Sequence, residues 1–508
     1  MPEQNYQTFS AEDLTWTDRS LWDQFLALCV EAPQAPAIID AAERGWTRGE
    51  IRLQAERIAA RLKEKDIGPH DRVLIEGQKR VSTVAVALAV SSLDAVICPY
   101  SPTLSPADRG VLEARLGHAA RLCYGDDGEM LDAEPALRIV MAENRSESDD
   151  PRNAETALIG FTSGTTGIPK AVMHRASALN YATCAIAAIA GLRKGDTILG
   201  IVPWDSAPGF TFTVHFSLSL GYPLVIVDPW SAERALTRAS RYRSAWAICV
   251  PTHLFSMVEA ARSGTWSGKL AFRAVTVGGS SMTPELIADA ERLLRIKALR
   301  TFGMSECMGH ACVRPEDSLE RRRNSDGRPF PGTHDDAFDE NLAHLAPGSR
   351  GQAGVKGPSL FLGYCKGLGD GGAHLTPDGY LLTGDEIVCD ENGYLKVVGR
   401  IKDQIIRGGF NIDPAEVEAA LLRHPAIVET AVVPVPEKRL GEQACAVCVI
   451  RAGYDAPDLP TLADHLMAIG LSKKKWPEHI MIVDQMPYTT TGKIDKKRLA
   501  AAAREKIT

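Results

Sequence analysis

The chain has 508 residues, of which 45% are hydrophobic, so it can bury large cores, and roughly 150 residues per domain suggests about three units. The net charge of -7 gives no general reason to expect nucleic acid or an anionic membrane as a partner. The first residues carry no signal-peptide pattern, and the longest apolar run, VAVALAV at 84–90, is too short to span a bilayer. Eleven scattered cysteines indicate reduced thiols, so we expect a cytoplasmic protein.

Short apolar strands alternate with helical segments over the first 400 or so residues. Helical spacing of apolar residues appears in ELIADAERLL at 285–294. This alternation predicts an α/β domain with largely buried sheets. The runs rich in β-branched residues are RVLIEG (72–77), AVICPY (95–100), TILGIVP (197–203), PLVIVD (223–228), AWAICVP (245–251) and AVTVGG (274–279).

A compact set of elements follows. Asp413 and Pro414 open PAEVEAALLRHP with the N-cap and first-turn proline typical of a helix start. Strands TAVVPV and ACAVCVI, helix TLADHLMAI, strand HIMIVD and a last helix KKRLAAAAREK complete the set. We therefore predict a large N-terminal domain of residues 1–401 and a small, mobile α+β domain of residues 402–508.

Two groups of cysteines have spacings that resemble metal sites. Cys445 and Cys448 lie in a predicted strand, where residues three apart face opposite ways, and no second pair follows. Cys307, His310 and Cys312 lack a fourth ligand in a recognisable partner motif. We predict that neither group binds a metal.

The stretch FTSGTTGIPK at 161–170 follows the strand-like TALIG and precedes the strand-like AVMH. A loop of small hydroxyl residues and glycines with Lys170 at its exit would surround an anion, and phosphate is the natural guest. The spacing of Gly164 and Gly167 does not fit a Walker A loop, and Pro169 would interrupt its helix. A plain surface hairpin is the alternative that the stretch alone leaves open.

Four further motifs occur along the chain: TFGMSE (301–306), LLTGD (381–385), GRIKDQIIRGGFNIDPAEVE (399–418) and TGKIDKKRL (491–499). Together with TSGTTGIPK, they resemble in order and spacing the core motifs of the adenylate-forming superfamily. That superfamily contains acyl-CoA synthetases, adenylation domains and beetle luciferases. The resemblance covers about residues 20–505 and is strongest to the AMP-forming acyl-CoA synthetases.

The resemblance implies ATP, Mg2+ and coenzyme A as cofactors and assigns a role to each motif. Ser305 would touch the α-phosphate, Glu306 would bind Mg2+, and Asp385 with Arg400 would hold the ribose. Phe302 replaces the usual tyrosine that stacks on adenine. The phosphate loop would comprise Thr162, Ser163, Gly164, Thr165, Thr166, Gly167 and Lys170, and the remaining nucleotide contacts Gly278, Gly279, Ser280, Thr301 and Gly303.

The resemblance also implies two half-reactions. Lys493 would bridge the substrate carboxylate and the α-phosphate during adenylation, which offsets their repulsion. The small domain would then turn about a hinge at Lys402 and present Gly408 and Gly409 to the pantetheine tunnel.

The acid pocket departs from the family pattern, because the usual aromatic–histidine pair is replaced by VPWDSAPGF. Asp205 resembles the aspartate that pairs with the substrate ammonium in amino-acid adenylating domains, but an acceptor for a hydroxylated acid and a plain loop residue are alternatives that the sequence leaves open. The expected pocket residues are Trp204, Asp205, Ser206, His215, Thr252, Met304 and Met308.

We therefore expect a carboxylic acid:CoA ligase that acts through an acyl-AMP, with a small-molecule acid, ATP and CoA as partners. An amino-acid or aryl-acid adenylating enzyme that loads a carrier-protein pantetheine is the alternative. A luciferase-like oxidoreductase and a nucleotide-binding regulator without chemistry are alternatives from other classes. The sequence identifies neither the acid nor the oligomeric state and leaves a homodimer open.

Overall fold

The computed structural model of the protein describes residues 7–124, 129–131, 137–143, 150–162, 170–280, 282–369, 374–408, 410–489 and 493–507. The strands as far as Pro329 are β1 Thr8–Ala11, β2 Leu14–Thr17, β3 Pro36–Ile39, β4 Gly45–Thr47, β5 Arg72–Glu76, β6 Val96–Tyr100, β7 Ala120–Cys123, β8 Glu129–Leu131, β9 Leu137–Met141, β10 Leu158–Thr162, β11 Lys170–His174, β12 Thr197–Gly200, β13 Leu224–Ile226, β14 Ser244–Cys249, β15 Ala274–Val277, β16 Ala298–Met304, β17 Cys307–Cys312 and β18 Arg328–Pro329.

The later strands are β19 His334–Phe338, β20 Arg350–Lys356, β21 Gly363–Tyr364, β22 Leu381–Cys389, β23 Leu395–Arg400, β24 Ile405–Arg407, β25 Phe410–Ile412, β26 Ile427–Glu437, β27 Gly441–Ile450 and β28 His479–Ile482. The α-helices are α1 Leu21–Glu31, α2 Arg48–Lys63, α3 Val81–Ser92, α4 Pro106–Leu116, α5 Ala176–Ile189, α6 Ala207–Phe210, α7 Phe216–Leu220, α8 Ala232–Arg241, α9 Pro251–Arg262, α10 Pro284–Asp289, α11 Leu319–Asn324, α12 Pro414–Leu421, α13 Leu459–Ala468 and α14 Lys496–Ile507.

Two large sheets form the body of the N-terminal domain. One has the order β21-β11-β10-β6-β5-β7-β9-β8, and the other has the order β18-β17-β16-β15-β14-β12-β13-β3-β4. Strands β10, β6, β5 and β7 are parallel in the first sheet, and β16, β15, β14, β12, β13 and β3 are parallel in the second. The parallel strands of each sheet therefore end together at one edge.

One hydrophobic core joins the two sheets. It contains Ile75 of β5, Ile198 of β12 and Trp246 of β14, together with buried residues of α3 and α5. Helix α3 is buried on all sides from Val81 to Ser91. A helix that is apolar all round, as residues 84–90 are, is expected in the interior of a protein. The predicted α/β layering with buried sheets is confirmed.

Smaller elements complete the large domain. A four-stranded antiparallel sheet, β19-β20-β22-β23, leads toward the small domain. The predicted helix at 285–294 is α-helical only over α10, and residues Ala290–Leu294 continue as a π-helix, with Leu294 and Ala290 buried against the neighbouring core. No described helix has the length and apolar character needed to cross a bilayer.

The small domain follows the predicted α+β pattern. Its sheet contains β25-β24-β27-β26, with β28 parallel to β27, and α12, α13 and α14 cover it. Asp413 caps α12 by accepting a hydrogen bond from the backbone N–H of Ala415. Cys445 and Cys448 point into separate cores on opposite faces of β27, as predicted from their strand spacing.

Candidate functional site

The carboxyl ends of the parallel strands of both sheets carry most of the predicted site. Strand β10 ends at Thr162, β15 leads into Gly278, and β12 leads through a short loop to Asp205. Ligands of open α/β sheets bind in crevices outside the carboxyl ends of the strands. The fold thus places these distant segments along the edges where a ligand site is expected.

The predicted phosphate loop connects β10 and β11, which are antiparallel neighbours with Thr162 opposite Lys170. Ser163, Gly164, Thr165, Thr166 and Gly167 lie outside the described residues. The ammonium of Lys170 lies 4.7 Å from the centroid of the Tyr364 ring, a cation–π distance.

Glu306 lies in the turn between β16 and β17 and is 8% exposed. The hydroxyl of Tyr364 donates to Glu306 Oε1 at 2.6 Å. Burial and then the charge of Glu306 raise the pKa of Tyr364, so this hydroxyl remains a donor. A carboxylate has further acceptor positions beyond this bond, so Glu306 would hold a hard cation such as Mg2+, which would neutralise the charge of a bound phosphate.

Ser305 precedes this carboxylate, and its backbone carbonyl accepts a hydrogen bond from Nε2 of His174 at 2.7 Å. His174 is fully buried, and burial lowers its pKa to about 4, so the imidazole is neutral at pH 7 and donates through Nε2. The end of β11 thereby fixes the turn that carries Ser305 and Glu306.

Phe302 packs against the imidazole of His310, with ring centroids 4.5 Å apart. His310 is completely buried, and its Nδ1 lies 2.8 Å from a carboxylate oxygen of Asp335, which is also buried. Cys307 and Cys312 are free and buried. The described residues contain no group of three or more side chains arranged to hold a metal ion.

Gly278 has no room for a side chain, and Gly279 has a backbone conformation that residues other than glycine rarely adopt. A Cβ on Gly278 would lie 2.6 Å from Cγ2 of Thr301. Gly279 has φ of +93°, and its Cβ would lie 3.4 Å from Cε of Lys493. Gly303 and Ser280 are exposed. Lys493, from the far end of the chain, therefore approaches the backbone that follows β15.

Lys493 shares this region with three charged residues of the large domain. The Nε of Arg400 donates to a carboxylate oxygen of Asp385 at 2.6 Å. Lys493 keeps an exposed surface, yet desolvation of its ammonium and then the charge of Arg400 lower its pKa, while Asp385 and Glu306 raise it. The structure thus brings together the cation and the carboxylates that the sequence separates by more than a hundred residues.

The predicted hinge precedes the sheet of the small domain, and the predicted pantetheine segment lies in the hairpin between β24 and β25 of that sheet. Lys402 belongs to a 3-10 turn, Ile401–Asp403, and the description of this residue is limited to its backbone. Gly408 has φ of +57°, and its N–H donates to the carbonyl of Leu440 at 2.7 Å. Gly409 lies outside the described residues.

Six of the seven predicted acid-pocket residues lie in segments that follow or end strands β12, β14 and β16, and His215 lies apart from them. Trp204, Asp205 and Met308 are buried, and Ser206 caps α6 by accepting from the N–H of Gly209. Thr252 and Met304 are partly buried; Thr252 lies in the first turn of α9, which follows β14, and Met304 ends β16.

His215 lies elsewhere: its Nε2 is 2.8 Å from Oδ1 of Asn180. It lines a cavity of about 350 Å³ with Asp94, Leu158 and Ala176. Leu158 begins β10, at the end opposite the phosphate loop. The structure therefore does not bring His215 to the loop end of β10.

Comparison with known proteins agrees with this arrangement. A profile described as "AMP-binding enzyme" matches residues 27–365, and one described as "AMP-binding enzyme C-terminal domain" matches residues 416–493. The chain belongs to the AMP-binding enzyme family. The resemblance to adenylate-forming enzymes is confirmed, and the protein is an AMP-forming ligase of this family.

Members of the AMP-binding enzyme family with similar sequences differ in their named substrates. A medium-chain fatty-acid–CoA ligase of Escherichia coli is 27% identical over 95% of this chain and 90% of its own. A salicylyl-CoA synthase / salicylate adenylyltransferase of Streptomyces sp is 30% identical over 74% of this chain and 68% of its own. The ATP-bound structure of MatB from Rhodopseudomonas palustris shares the fold, with a TM-score of 0.80, 23% identity, and coverage of 96% of this chain and 100% of that one.

Sequence reasoning missed several residues that contact the AMP-binding enzyme motifs. Tyr364 and His174 hold the Glu306 turn, Lys79 lies near Asp205, and His253 lies near Lys79. Lys79 follows the carboxyl end of β5, and a polar residue just past a buried parallel strand is a usable signal. Nothing in the local sequence distinguishes His174 or Tyr364 from ordinary strand residues.

Proposed function

We propose that the protein is a carboxylic acid:CoA ligase that forms AMP. The acid carboxylate attacks the α-phosphorus of ATP, which releases pyrophosphate and gives an acyl-AMP. The thiolate of CoA then attacks the acyl carbon, AMP leaves, and the acyl-CoA thioester is the product. We place this reaction in the cytoplasm, in keeping with eleven cysteines that are all free.

The position of Lys493 carries the proposal. Its side chain lies against Gly279 and interacts electrostatically with Glu306, Asp385 and Arg400. An ammonium in this cleft would offset the repulsion between two reacting anions and stabilise the charge that moves toward pyrophosphate. Mg2+ held by Glu306 would neutralise phosphate charge.

The remaining nucleotide contacts follow from the same geometry. The Asp385 carboxylate accepts from Arg400 and retains acceptor capacity for the ribose hydroxyls. Phe302 would present its ring to adenine. Gly278 and Gly279 would let the nucleotide approach the backbone closely, and Thr162 with Lys170 would flank the pyrophosphate.

The thiol side of the proposal rests on the segment near the hinge at Lys402. Adenylation needs Lys493 in the cleft, so the small domain must turn for the second half-reaction, with residues 402–508 moving as one body. Gly408, with its positive φ, would then line the pantetheine tunnel. The sequence of the GGFNIDPAEVE segment favours CoA as the thiol that accepts the acyl group.

An aryl-acid adenylating enzyme that loads a carrier-protein pantetheine is the second candidate. Its support is Asp205, a buried carboxylate at the expected acid pocket, and the similarity to a salicylate-activating relative. The two candidates share the adenylation step. They differ only in the thiol that accepts the acyl group, which belongs to CoA in one and to a carrier-protein pantetheine in the other.

Acid-dependent exchange of pyrophosphate into ATP, measured across fatty, aryl, hydroxy and amino acids, tests the first half-reaction. The best acid is then offered with CoA and, separately, with a phosphopantetheinylated carrier protein. Thioester on CoA supports the proposal, and thioester on the carrier alone supports the second candidate. Oxygen consumption with the acyl-AMP would support an oxidase instead, and absence of exchange with every acid would contradict both ligase candidates.

A further inference from the structure

Lys79 is a lysine from one large sheet whose ammonium is bound by the other sheet. It follows β5, and its Nζ donates to the carbonyl of Ile201 at 2.9 Å and to that of Val227 at 2.8 Å. These carbonyls lie just past the ends of the parallel neighbours β12 and β13. Two of the three ammonium N–H groups are thus used at the edge of the sheet that carries Asp205.

One buried oxygen of the Asp205 carboxyl group has no hydrogen-bond partner in the part of the chain that the structure describes, although Ser101 and the backbone N–H of Asp205 interact with the same carboxyl group. The residue is 8% exposed, and its Oδ1 is buried and has no hydrogen-bond partner among the described residues. Its backbone packs closely on Gly77, where a Cβ would lie 2.7 Å from Cα of Asp205. A buried unpaired carboxylate oxygen costs free energy unless a ligand donates to it.

The charges around Asp205 limit what that ligand group can be. Lys79 and Asp205 each feel the charge of the other, and the second anion near Lys79, Asp228, is exposed and screened by water. Burial lowers the pKa of Lys79 to about 8, although Asp228 and Asp205 oppose the shift, so the ammonium remains charged at pH 7.

His253 is the remaining titratable group of this cluster. Its ring lies 4.4 Å from that of Trp230, and its buried Nδ1 has no partner among the described residues. Burial and then the charge of Lys79 lower its pKa to about 4, so it is neutral at pH 7. The buried cluster therefore contains the Lys79 ammonium, the neutral His253 ring and the Asp205 carboxyl group, whose pKa is raised by burial although Ser101, its own N–H and the charge of Lys79 lower it.

We propose that Lys79 is a specificity-determining residue, whose charge acts on Asp205 so that the acid pocket selects an acid bearing a neutral hydrogen-bond donor, a hydroxyl group, at that end. The proposal rests on the proposed function and deepens it by naming the substrate class. A hydroxyl group can donate to Asp205 Oδ1 without adding charge to the cluster.

Charged substituents are disfavoured at the same place. An ammonium on the substrate would lie beside the ammonium of Lys79, and a second carboxylate would lie beside Asp205. Like charges a few ångströms apart in a partly buried site repel strongly. In a pocket without Lys79, the aspartate could bind the ammonium of an amino acid. With Lys79 present, that ammonium is repelled.

The test is pyrophosphate exchange with matched acids that differ only in one group, namely hydrogen, hydroxyl, ammonium or carboxylate. The native enzyme should prefer the hydroxyl acid over each of the others by about tenfold or more in kcat/KM. Lys79→Met should reduce the hydroxyl-over-ammonium ratio by at least about tenfold, because the repelling cation is gone. Asp205→Asn should reduce the hydroxyl-over-hydrogen ratio by about tenfold.

Lys269→Met, at an exposed lysine, is the matched control and should leave every ratio unchanged. Ratios unchanged in both pocket variants, or a native preference for the ammonium acid, would overturn the proposal. If thermal unfolding shows that Lys79→Met does not fold, the hydroxyl-over-hydrogen ratio of Asp205→Asn tests the proposal. An unchanged ratio in that variant would then overturn it.

Exchange reports only the first half-reaction. A hydroxyl preference with CoA refused would therefore overturn the proposed CoA ligation and leave this inference standing. Acyl-CoA formation without a hydroxyl preference would overturn the inference alone.

Discussion

Asp385 and Arg400 stand directly opposite each other on β22 and β23, and the guanidinium Nε of Arg400 donates to Asp385 at 2.6 Å. Asp385 is 3% exposed, whereas the Arg400 side chain is 60% exposed. The exposed cation therefore holds a buried carboxylate whose charge acts on Lys493. Two adjacent strands suffice to fix this pair, because directly opposed residues of an antiparallel ladder bring their side chains together.

Asp385→Asn should weaken nucleotide binding more than acid binding. Replacing the charged acceptor with an amide removes a charge-assisted hydrogen bond, and such bonds are each worth about 1.5–3 kcal/mol. We expect the KM for ATP in pyrophosphate exchange to rise roughly tenfold or more. Asp455→Asn, at an exposed carboxylate of the small domain, is the control. An unchanged KM for ATP would remove Asp385 from the nucleotide site.

Lys493→Ala should separate the two half-reactions. The ammonium serves the attack on the α-phosphorus and has no part in thioester formation from a finished adenylate. Acid-dependent pyrophosphate exchange should fall by roughly a hundredfold or more, the scale of losing one preorganised charge at a reacting centre. Conversion of synthetic acyl-AMP and CoA to acyl-CoA should remain within a few-fold of the native rate. Equal loss of both activities would contradict the two-conformation scheme.

The pH dependence of adenylation should carry the signature of Lys493. Burial and Arg400 lower its pKa, outweighing the opposite effects of Asp385 and Glu306, so the proton leaves at a lower pH than from an ordinary lysine. The charged form is the active one, so exchange should decline on the alkaline side below the ordinary value of 10.5. The conversion of acyl-AMP to acyl-CoA should lack this lysine-dependent decline. An identical alkaline limb in both steps would assign the decline to another group.

The buried pair behind Phe302 predicts a stability difference. His310→Leu leaves the carboxylate of Asp335 buried without its partner, so we expect a loss of roughly 3 kcal/mol in the free energy of unfolding. His344 makes a similar contact with Asp336, but the two side chains are 48% and 38% exposed. His344→Leu should therefore cost less than about 1 kcal/mol. Denaturant unfolding measures the free energy of unfolding of both variants. Equal losses would show that burial of the His–Asp pair does not determine its contribution to stability.

Particular elements show which features the sequence can predict. The strands β5, β6, β12 and β14 are short apolar runs with β-branched residues, and a buried parallel strand is the element that such runs fit. Contacts between distant loops are different. Lys79 reaches the carbonyl of Ile201, 122 positions away, because one hydrophobic core joins the two sheets, and no local pattern specifies that packing. The position of His215 is equally hidden from the local sequence. His215 ends the π-helical turn Thr211–His215, and its imidazole contacts the side chain of Asn180.

Gly408→Ala should impair the thioester step more than its backbone strain alone explains. Gly408 has φ of +57°, and an added Cβ would lie 3.1 Å from Cδ2 of Leu440. Gly453, also in the small domain, has φ of +85° and open space around its Cβ position. A left-handed conformation costs an alanine about 1–2 kcal/mol at either position, so the two variants should lose comparable stability.

The two glycine variants should differ in the second half-reaction. If Gly408 lines the pantetheine path, Gly408→Ala should lower the rate of acyl-CoA formation from synthetic acyl-AMP by roughly tenfold or more, since a tunnel wall has gained a methyl group. Gly453→Ala should keep that rate, and both variants should retain pyrophosphate exchange. Because both positions have a positive φ, a rate loss confined to Gly408→Ala at comparable stability would come from the path and not from the fold. Equal rates in the two variants would place the thiol path elsewhere.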